Sequence, residues 1–343
     1  MAPERRPLVV HADARPGSEL RDERLALDPL GCEVIATTAE DEDGLIANLR
    51  QADVVLVSAA QITRRVLESL PRCRAVVRYG IGVDNVDLQA ATDCGIVVAH
   101  VLEFCAEEVS NHALALLLAL ARRLFPLHRD ATAGSWRQPQ AWTLAPVHGQ
   151  TLGVVGFGNI GRAVARKARP FGLRLLAHDP YGDPKAADEL GATLVPLPEL
   201  LRESDYVSLH APLTPETRHL IGAAELAAMK PTAVLINTAR GPVVDEAALV
   251  EALRDGRIAG AGLDVFEEEP LAADNPLCRL AERLPAGRQV VLTPHVASVS
   301  PEAMRQLREE VGRAAADVLR GRWPKYVANP GVRPRVPLEA RDG

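Results

Sequence analysis

The sequence predicts an α/β protein of two doubly wound parallel sheets, and three observations carry that prediction. Short apolar runs alternate with helix-compatible stretches along the whole chain, the rhythm of parallel strands joined by crossover helices. A long helical segment, "AEEVSNHALALLLALARRLFPLHRDATAG" (106–134), splits the alternation into two series. The second series opens on a G-x-G-x-x-G pattern, Gly156, Gly158 and Gly161, between an apolar run and a helical one.

Taken in order, "PLVVHAD", "VIATT", "DVVLVS", "AVVRYG" and "GIVVAH" read as the strands of a first unit over about residues 7–100. Residues 106–134 read as a connecting helix, its apolar centre "ALALLLALA" (113–121) far short of the ~20 residues a bilayer requires. The second series follows with strands at "TLGVV", "LRLLAHD", "YVSLH", "AVLINT", "AGAGLDV" and "VVLTPH". The final helix (301–321) comes after that series has ended and is expected to pack back on the first unit. The expected organisation is one domain of residues 1–101 plus 297–330, a second of 102–296, and a Pro- and charge-rich tail, 331–343, expected to be disordered.

Composition narrows the function. The 343 residues are 47% hydrophobic and 24% charged, which is globular, and the net charge of −6 argues against nucleic acid or an anionic membrane as partner. Five dispersed cysteines (Cys32, Cys73, Cys94, Cys105 and Cys278) show no metal spacing and read as reduced thiols. "MAPERRPLVVHAD" has no signal-peptide apolar region, so a soluble cytoplasmic protein is expected.

The chemistry gathers at strand ends, where doubly wound sheets bind ligands. In "VVGFGNIGR" the first glycine allows the turn, the second admits a pyrophosphate and the third lets helix and strand pack closely, with Asn159 and Ile160 opening the helix. Asp179 ends the next strand 18 residues after Gly161, followed by Pro180. A carboxylate there accepts from ribose hydroxyls and repels a 2′-phosphate, so NAD is the expected cofactor. His210, Ala211 and Pro212, then Thr217, Thr238, Ala239 and Asp264, are expected to line it. His210 could equally be a hydrogen-bonded loop histidine, and Arg240 a surface arginine in an ion pair at a helix start. The run Glu267–Glu268–Glu269 alone is a solvated loop. Arg240, Glu269 and His295 together stand at or just past successive strand ends, and they offer a carboxylate clamp, an orienting anion and a proton shuttle. No metal set is visible.

The set "GFGNIGR", "HAPLTPETRHLI", "NTARGPVVDEAAL", "GLDVFEEEP" and "LTPH" resembles the D-isomer-specific 2-hydroxyacid dehydrogenases over about residues 5–330. The resemblance implies two Rossmann-like domains with a cleft between them, the first domain binding substrate, and a homodimer built largely on the nucleotide-binding domain. It implies His295 as acid/base, Glu269 as its partner and Arg240 as the binder of the substrate carboxylate. The family's substrate loop matches "RYGIGVDNVD", so Arg78, Tyr79, Gly80, Ile81 and Gly82 are substrate-binding candidates, with the Ile81 and Gly82 N–H groups on the carboxylate.

The chain is similar to the C-terminal-binding-protein branch, but Ser298 stands where that branch often has tryptophan. Val57 stands where phosphoglycerate dehydrogenases usually have a phosphate-binding arginine, although Arg78 is near in sequence, and Ile81 replaces the lysine of phosphite-oxidising relatives. The expected activity is NAD-dependent interconversion of a small 2-oxo acid and its D-2-hydroxy acid. The alternatives are a dehydrogenase of a phosphorylated or phosphonate-bearing acid, and an NAD(H)-sensing corepressor-like protein. Specificity is expected from 57–60, 78–81, 103–106 and the segment "SWRQPQAW" (135–142).

Overall fold

The computed structural model describes residues 5–15, 17–136, 146–283 and 288–340, so most of "SWRQPQAW" lies outside the described residues. The chain divides into two compact units, Met1–Phe104 with Ser300–Gly343, and Cys105–Val299.

The first unit holds a five-stranded sheet of β1 (Leu8–His11), β2 (Glu33–Ala36), β3 (Val54–Val57), β4 (Ala75–Arg78) and β5 (Val97–Ala99). The order is β2-β1-β3-β4-β5, and every ladder is parallel. Strands buried on both faces explain the unbroken apolar runs: Val54, Val55, Leu56 and Val57 are all 0% exposed. The helix Pro301–Leu319 belongs to this unit and packs on the helix Arg21–Leu27, with Arg308 Nε donating to Asp22 at 2.6 Å.

The tail differs from expectation. Asn329 accepts from Val98 N–H at 2.8 Å and donates to Ile96 O at 3.0 Å, which covers the outer edge of β5. Farther on, Arg335 donates to the carbonyls of Cys94 and Leu70, and Glu339 N–H bonds Gly321 O at 2.7 Å. Residues 331–340 therefore run in fixed contact with the first unit, because Arg335 bonds its backbone carbonyls and Glu339 N–H bonds Gly321 O.

The second unit holds β6 (Thr151–Val155), β7 (Arg174–His178), β8 (Ala192–Leu194), β9 (Tyr206–Leu209), β10 (Val234–Asn237), β11 (Gly260–Leu263) and β12 (Gln289–Leu292). Its parallel order is β12-β11-β10-β9-β6-β7-β8. Leu235, Leu209 and Ile258 lie in the core on one side, Leu117, Leu152 and Ile236 on the other. The long helical segment is two helices, Ala106–Ala121 and Leu124–Thr132, because Arg123 takes a left-handed φ of 54°. The three-residue β8 carries too short an apolar pattern to stand out in the sequence.

Candidate active site

Three adjacent strand ends of the seven-stranded sheet carry the predicted site residues. After β10, Asn237 is almost wholly buried and its side chain bridges the turn, accepting from Ala239 N–H at 3.0 Å and donating to Arg240 O at 2.9 Å. Arg240 Nη1 donates to Ala239 O at 2.8 Å. The next residue must be glycine: a Cβ on Gly241 would land on the Phe266 carbonyl, so the turn after β10 lies directly against the loop after β11. Asp245 then caps the following helix by accepting from Ala248 N–H at 3.0 Å, as its position predicts.

The loop after β11 folds back on itself, with Phe266 N–H donating to Glu269 Oε1 at 2.9 Å. The other oxygen, Oε2, lies 2.6 Å from His295 Nδ1. Burial raises the Glu269 carboxyl, but the bonds from His295 and Phe266, together with the charge of Arg240, outweigh it and leave a net lowering. The three residues that the sequence singled out thus form one cluster: Glu269 feels both the imidazole and the guanidinium. The His295–Glu269 bond leaves Nε2 of a ring that is 45% exposed as the group that can meet a substrate.

His295 is held in a left-handed backbone conformation, φ 51°, which a non-glycine residue adopts only when its surroundings impose it. Asp264 imposes it. The fully buried carboxylate accepts from Thr293 Oγ1 at 2.6 Å, Val296 N–H at 3.0 Å and Ala297 N–H at 2.8 Å, and its carbonyl accepts from His295 N–H at 2.8 Å. Asp264, expected among the cofactor residues, is committed in this structure to the His295 turn.

Sequence reasoning missed a second histidine–glutamate pair. His219 Nε2 lies 2.6 Å from Glu267 Oε1, and its N–H bonds Pro242 O at 2.8 Å, so it braces the acidic loop from the β9 side. The only trace of it in the sequence is its place in the run "HAPLTPETRHLI".

The nucleotide side of the same unit centres on Gly156, φ 88°, whose added Cβ would lie 2.5 Å from Ala211 N and 2.6 Å from His210 C. A Cβ on Gly161 would strike Gly156 O, whereas one on Gly158 meets nothing within 4 Å. The helix Asn159–Ala168 starts at Gly158 with no side chain capping it, so its first N–H groups remain available to an anion. Asp179 accepts from Phe157 N–H and Tyr181 N–H, both at 2.8 Å, and Pro180 is exposed beside it. Burial pushes the His210 imidazole down to about 3, so the ring is neutral. Its Nε2 lies 2.8 Å from Ser208 Oγ, while Nδ1 and Thr238 Oγ1 are buried with no protein partner among the described residues. Thr217 instead spends its hydroxyl on Pro212 O, at 2.6 Å, within its own loop.

The predicted substrate loop lies in the first unit. Tyr79 N–H bonds Val57 O at 2.8 Å, and its hydroxyl lies 2.8 Å from Oε1 of the wholly buried Glu23. Its ring stacks on His11 with centroids 4.6 Å apart. Arg78 Nη1 donates to Tyr79 O at 2.6 Å, which ties the guanidinium to its own loop.

A family model described as D-isomer specific 2-hydroxyacid dehydrogenase, NAD binding domain, matches residues 114–297, the stretch that carries the glycine turn and the Arg240, Glu269 and His295 cluster. The chain belongs to the D-isomer-specific 2-hydroxyacid dehydrogenases. The glyoxylate reductase of Korarchaeum cryptofilum is 42% identical over 89% of this dehydrogenase and 88% of its own length. The D-3-phosphoglycerate dehydrogenase of Methanocaldococcus jannaschii is 37% identical over 90% of this chain and 57% of its own. A solved D-lactate dehydrogenase of Aquifex aeolicus, complexed with NAD and lactic acid, superposes with TM-score 0.82 at 30% identity, over 92% of this chain and 96% of that one.

The dehydrogenase is an NAD-dependent oxidoreductase that interconverts 2-oxo acids and D-2-hydroxy acids. Its residues fit that cofactor on structural grounds. Gly158 leaves open the space a diphosphate requires, the uncapped helix faces it with N–H groups, and His210 Nδ1 and Thr238 Oγ1 are buried polar atoms that lack a protein partner. No helix among the described residues is long and apolar enough to cross a membrane.

Proposed function

We propose that this dehydrogenase reduces a small, singly anionic 2-oxo acid of the glyoxylate, pyruvate or hydroxypyruvate kind, with His295 as proton donor. The observation that supports this most is the 2.6 Å His295–Glu269 pair, in which the carboxyl also feels Arg240. Bound NADH supplies the hydride that reaches the carbonyl carbon. Glu269 holds the Nδ1–H and aims the ring, so that Nε2–H can give its proton to the oxygen as negative charge develops there. In the reverse direction the neutral ring removes the hydroxyl proton. Arg240 presents a planar fork to the carboxylate and polarises the carbonyl oxygen. The Ile81 and Gly82 N–H groups bind the substrate carboxylate.

A phosphorylated acid would need a second cation, and Arg78 is engaged with the Tyr79 carbonyl while Val57 is wholly buried. The intact Arg240, Glu269 and His295 set likewise favours turnover over a corepressor-like sensing role. A cytoplasmic homodimer completes the proposal. The helix Leu124–Thr132 buries none of its residues and leaves Leu124 and Phe125 54% and 55% exposed, a surface suited to a second copy. All five cysteines are free thiols.

Steady-state kinetics on a panel of 2-oxo acids tests the assignment. His295→Ala is expected to lose about 10²–10⁴-fold in kcat while NADH binding, followed by fluorescence, stays near wild type. Glu269→Gln is expected to be milder, because an amide oxygen can still accept from Nδ1–H and hold the ring. Near wild-type kcat in a folded, NADH-binding His295→Ala enzyme would overturn the mechanism.

A further inference from the structure

Two peptide groups of the Arg78–Gly82 loop are held by their carbonyls and leave their N–H groups without an acceptor among the described residues. Gly80 O accepts from Val101 N–H at 3.1 Å, and Ile81 O lies 2.7 Å from His100 Nδ1. A carbonyl only accepts, so the His100 bond assigns the proton to Nδ1. In a planar trans peptide the N–H points opposite to the C=O. Pinning Gly80 O therefore fixes the Ile81 N–H, and pinning Ile81 O fixes the Gly82 N–H. Neither N–H has a hydrogen-bond acceptor among the described residues. One dipeptide, His100–Val101, thus orients two adjacent donors.

The histidine is itself fixed. Its ring lies edge-on to Tyr326, with centroids 6.4 Å apart at 87°, and Lys325 sits 4.9 Å over the Tyr326 ring while bonding Glu103 at 2.6 Å. Burial pushes the His100 imidazole down, the Ile81 carbonyl opposes that and the Arg78 charge adds to it, with a net lowering that favours a neutral ring near pH 7. His100 therefore acts as a directional donor and adds no charge to compete for the substrate. A paired set of N–H groups with both carbonyls anchored is a preorganised receptor for a carboxylate, which needs no reorganisation when the anion arrives.

We infer that His100 is a positioning residue for substrate: through the Ile81 carbonyl it aims the Gly82 N–H at the carboxylate of the 2-oxo acid. The inference rests on the carboxylate role proposed above for the loop. It differs from a general stabilising role in requiring a donor at the Nδ1 position, which asparagine reproduces and leucine of the same shape does not.

The test uses the full-length enzyme at saturating NADH, with kcat and KM for the best 2-oxo acid and thermal melting measured in parallel. His100→Leu is expected to raise KM about tenfold with kcat within about twofold, the pattern of lost binding shared by ground and transition states. His100→Asn is expected to hold KM within about twofold of wild type. If His100→Leu does not fold, the smaller His100→Ala, which lacks the N–H and carries no charge, replaces it. A folded donor-less variant with wild-type KM overturns the inference, as does a KM raised equally by asparagine and leucine. Gly82→Pro, which deletes the N–H itself, separates the two levels. If it folds and leaves KM unchanged, the loop's carboxylate role fails and His100 with it. If it raises KM while His100→Leu does not, the loop stands and His100 alone falls.

Discussion

The two sheets each have a point where the chain reverses its winding, and they treat it in opposite ways. In the first sheet the reversal lies between β1 and β3. Asp13, two residues past β1, fills it: its carboxylate accepts from the N–H groups of Ser58, Ala59 and Ala60 at 2.9, 2.5 and 2.7 Å. In the second sheet the reversal lies between β6 and β9, and glycines stand there. Gly156 lets the two strand ends touch, and Gly158 leaves the space beyond them empty. One topology therefore gives two outcomes. Where the chain brings its own anion the N–H donors are spent, and where it brings glycine they are kept for a ligand. Parallel winding supplies the position; a few residues decide whether it becomes a site.

The largest effect is expected from closing the open point. Gly156→Ala places a methyl against Ala211 N and His210 C at a φ of 88°, so both crowding and backbone strain oppose it. A stability loss of about 3 kcal/mol is expected in urea melts, with NADH binding lost as well. Gly158→Ala is the control, since its methyl meets no protein atom within 4 Å. That variant is expected to cost less than about 1 kcal/mol in stability, yet to weaken NADH about tenfold, because the methyl occupies the diphosphate's space. Equal stability losses in the two variants would break the distinction between a glycine that closes a turn and one that leaves room.

Opening the closed point comes next. Burial raises the Asp13 carboxyl, but the hydrogen bonds from His11 and the three amides overcome it and bring the value to about 2, from 3.8. A folded-state value below the unfolded one contributes stability that is complete above about pH 4 and is lost as pH falls towards about 2. The shift corresponds to about 2 kcal/mol. Asp13→Asn is expected to lose about that much at pH 7, with its deficit against wild type shrinking across that acid window and NADH affinity unchanged. A pH-independent deficit would mean that shape, not charge, fills the first reversal point.

What the sequence made legible divides along the same line. The open point announces itself, because glycine spacing is a local pattern, and the residues singled out just past later apolar strands, Arg240, Glu269 and His295, do come together in one cluster. The closed point does not announce itself. Asp13 finds its partners 45 to 47 residues away, and those partners are backbone N–H groups, which leave no mark on a sequence. The same blindness hid Arg335, which reaches the carbonyls of Leu70 and Cys94 from a tail whose composition reads as disordered. It also hid His100, 19 residues from the carbonyl it holds. The helix break at Arg123 is marked only by Pro126, which the first turn of the second helix tolerates, so apolar periodicity alone runs straight through.

The smallest expected effect sharpens what the open point accepts. Asp179 already accepts from Phe157 and Tyr181 N–H groups, one on each oxygen. Each carboxylate oxygen has a second lone pair, so both can still take a ribose hydroxyl. A 2′-phosphate would meet that charge, and the residue that follows Pro180 is Tyr181, 96% exposed and neutral, where an arginine would have compensated. NADH is therefore expected to be used with higher kcat/KM than NADPH. Asp179→Ala removes the repulsion and the ribose acceptor together, and it frees Phe157 N–H from its anchor. Efficiency with NADH is expected to fall about tenfold, equivalent to about 1.4 kcal/mol, while efficiency with NADPH holds or rises slightly. The preference narrows because one cofactor loses contacts and the other loses an obstacle. Parallel kcat/KM measurements with both cofactors decide it: a wild-type enzyme that uses NADPH equally well would show that this carboxylate serves the glycine turn alone, as Asp13 serves the turn after β3.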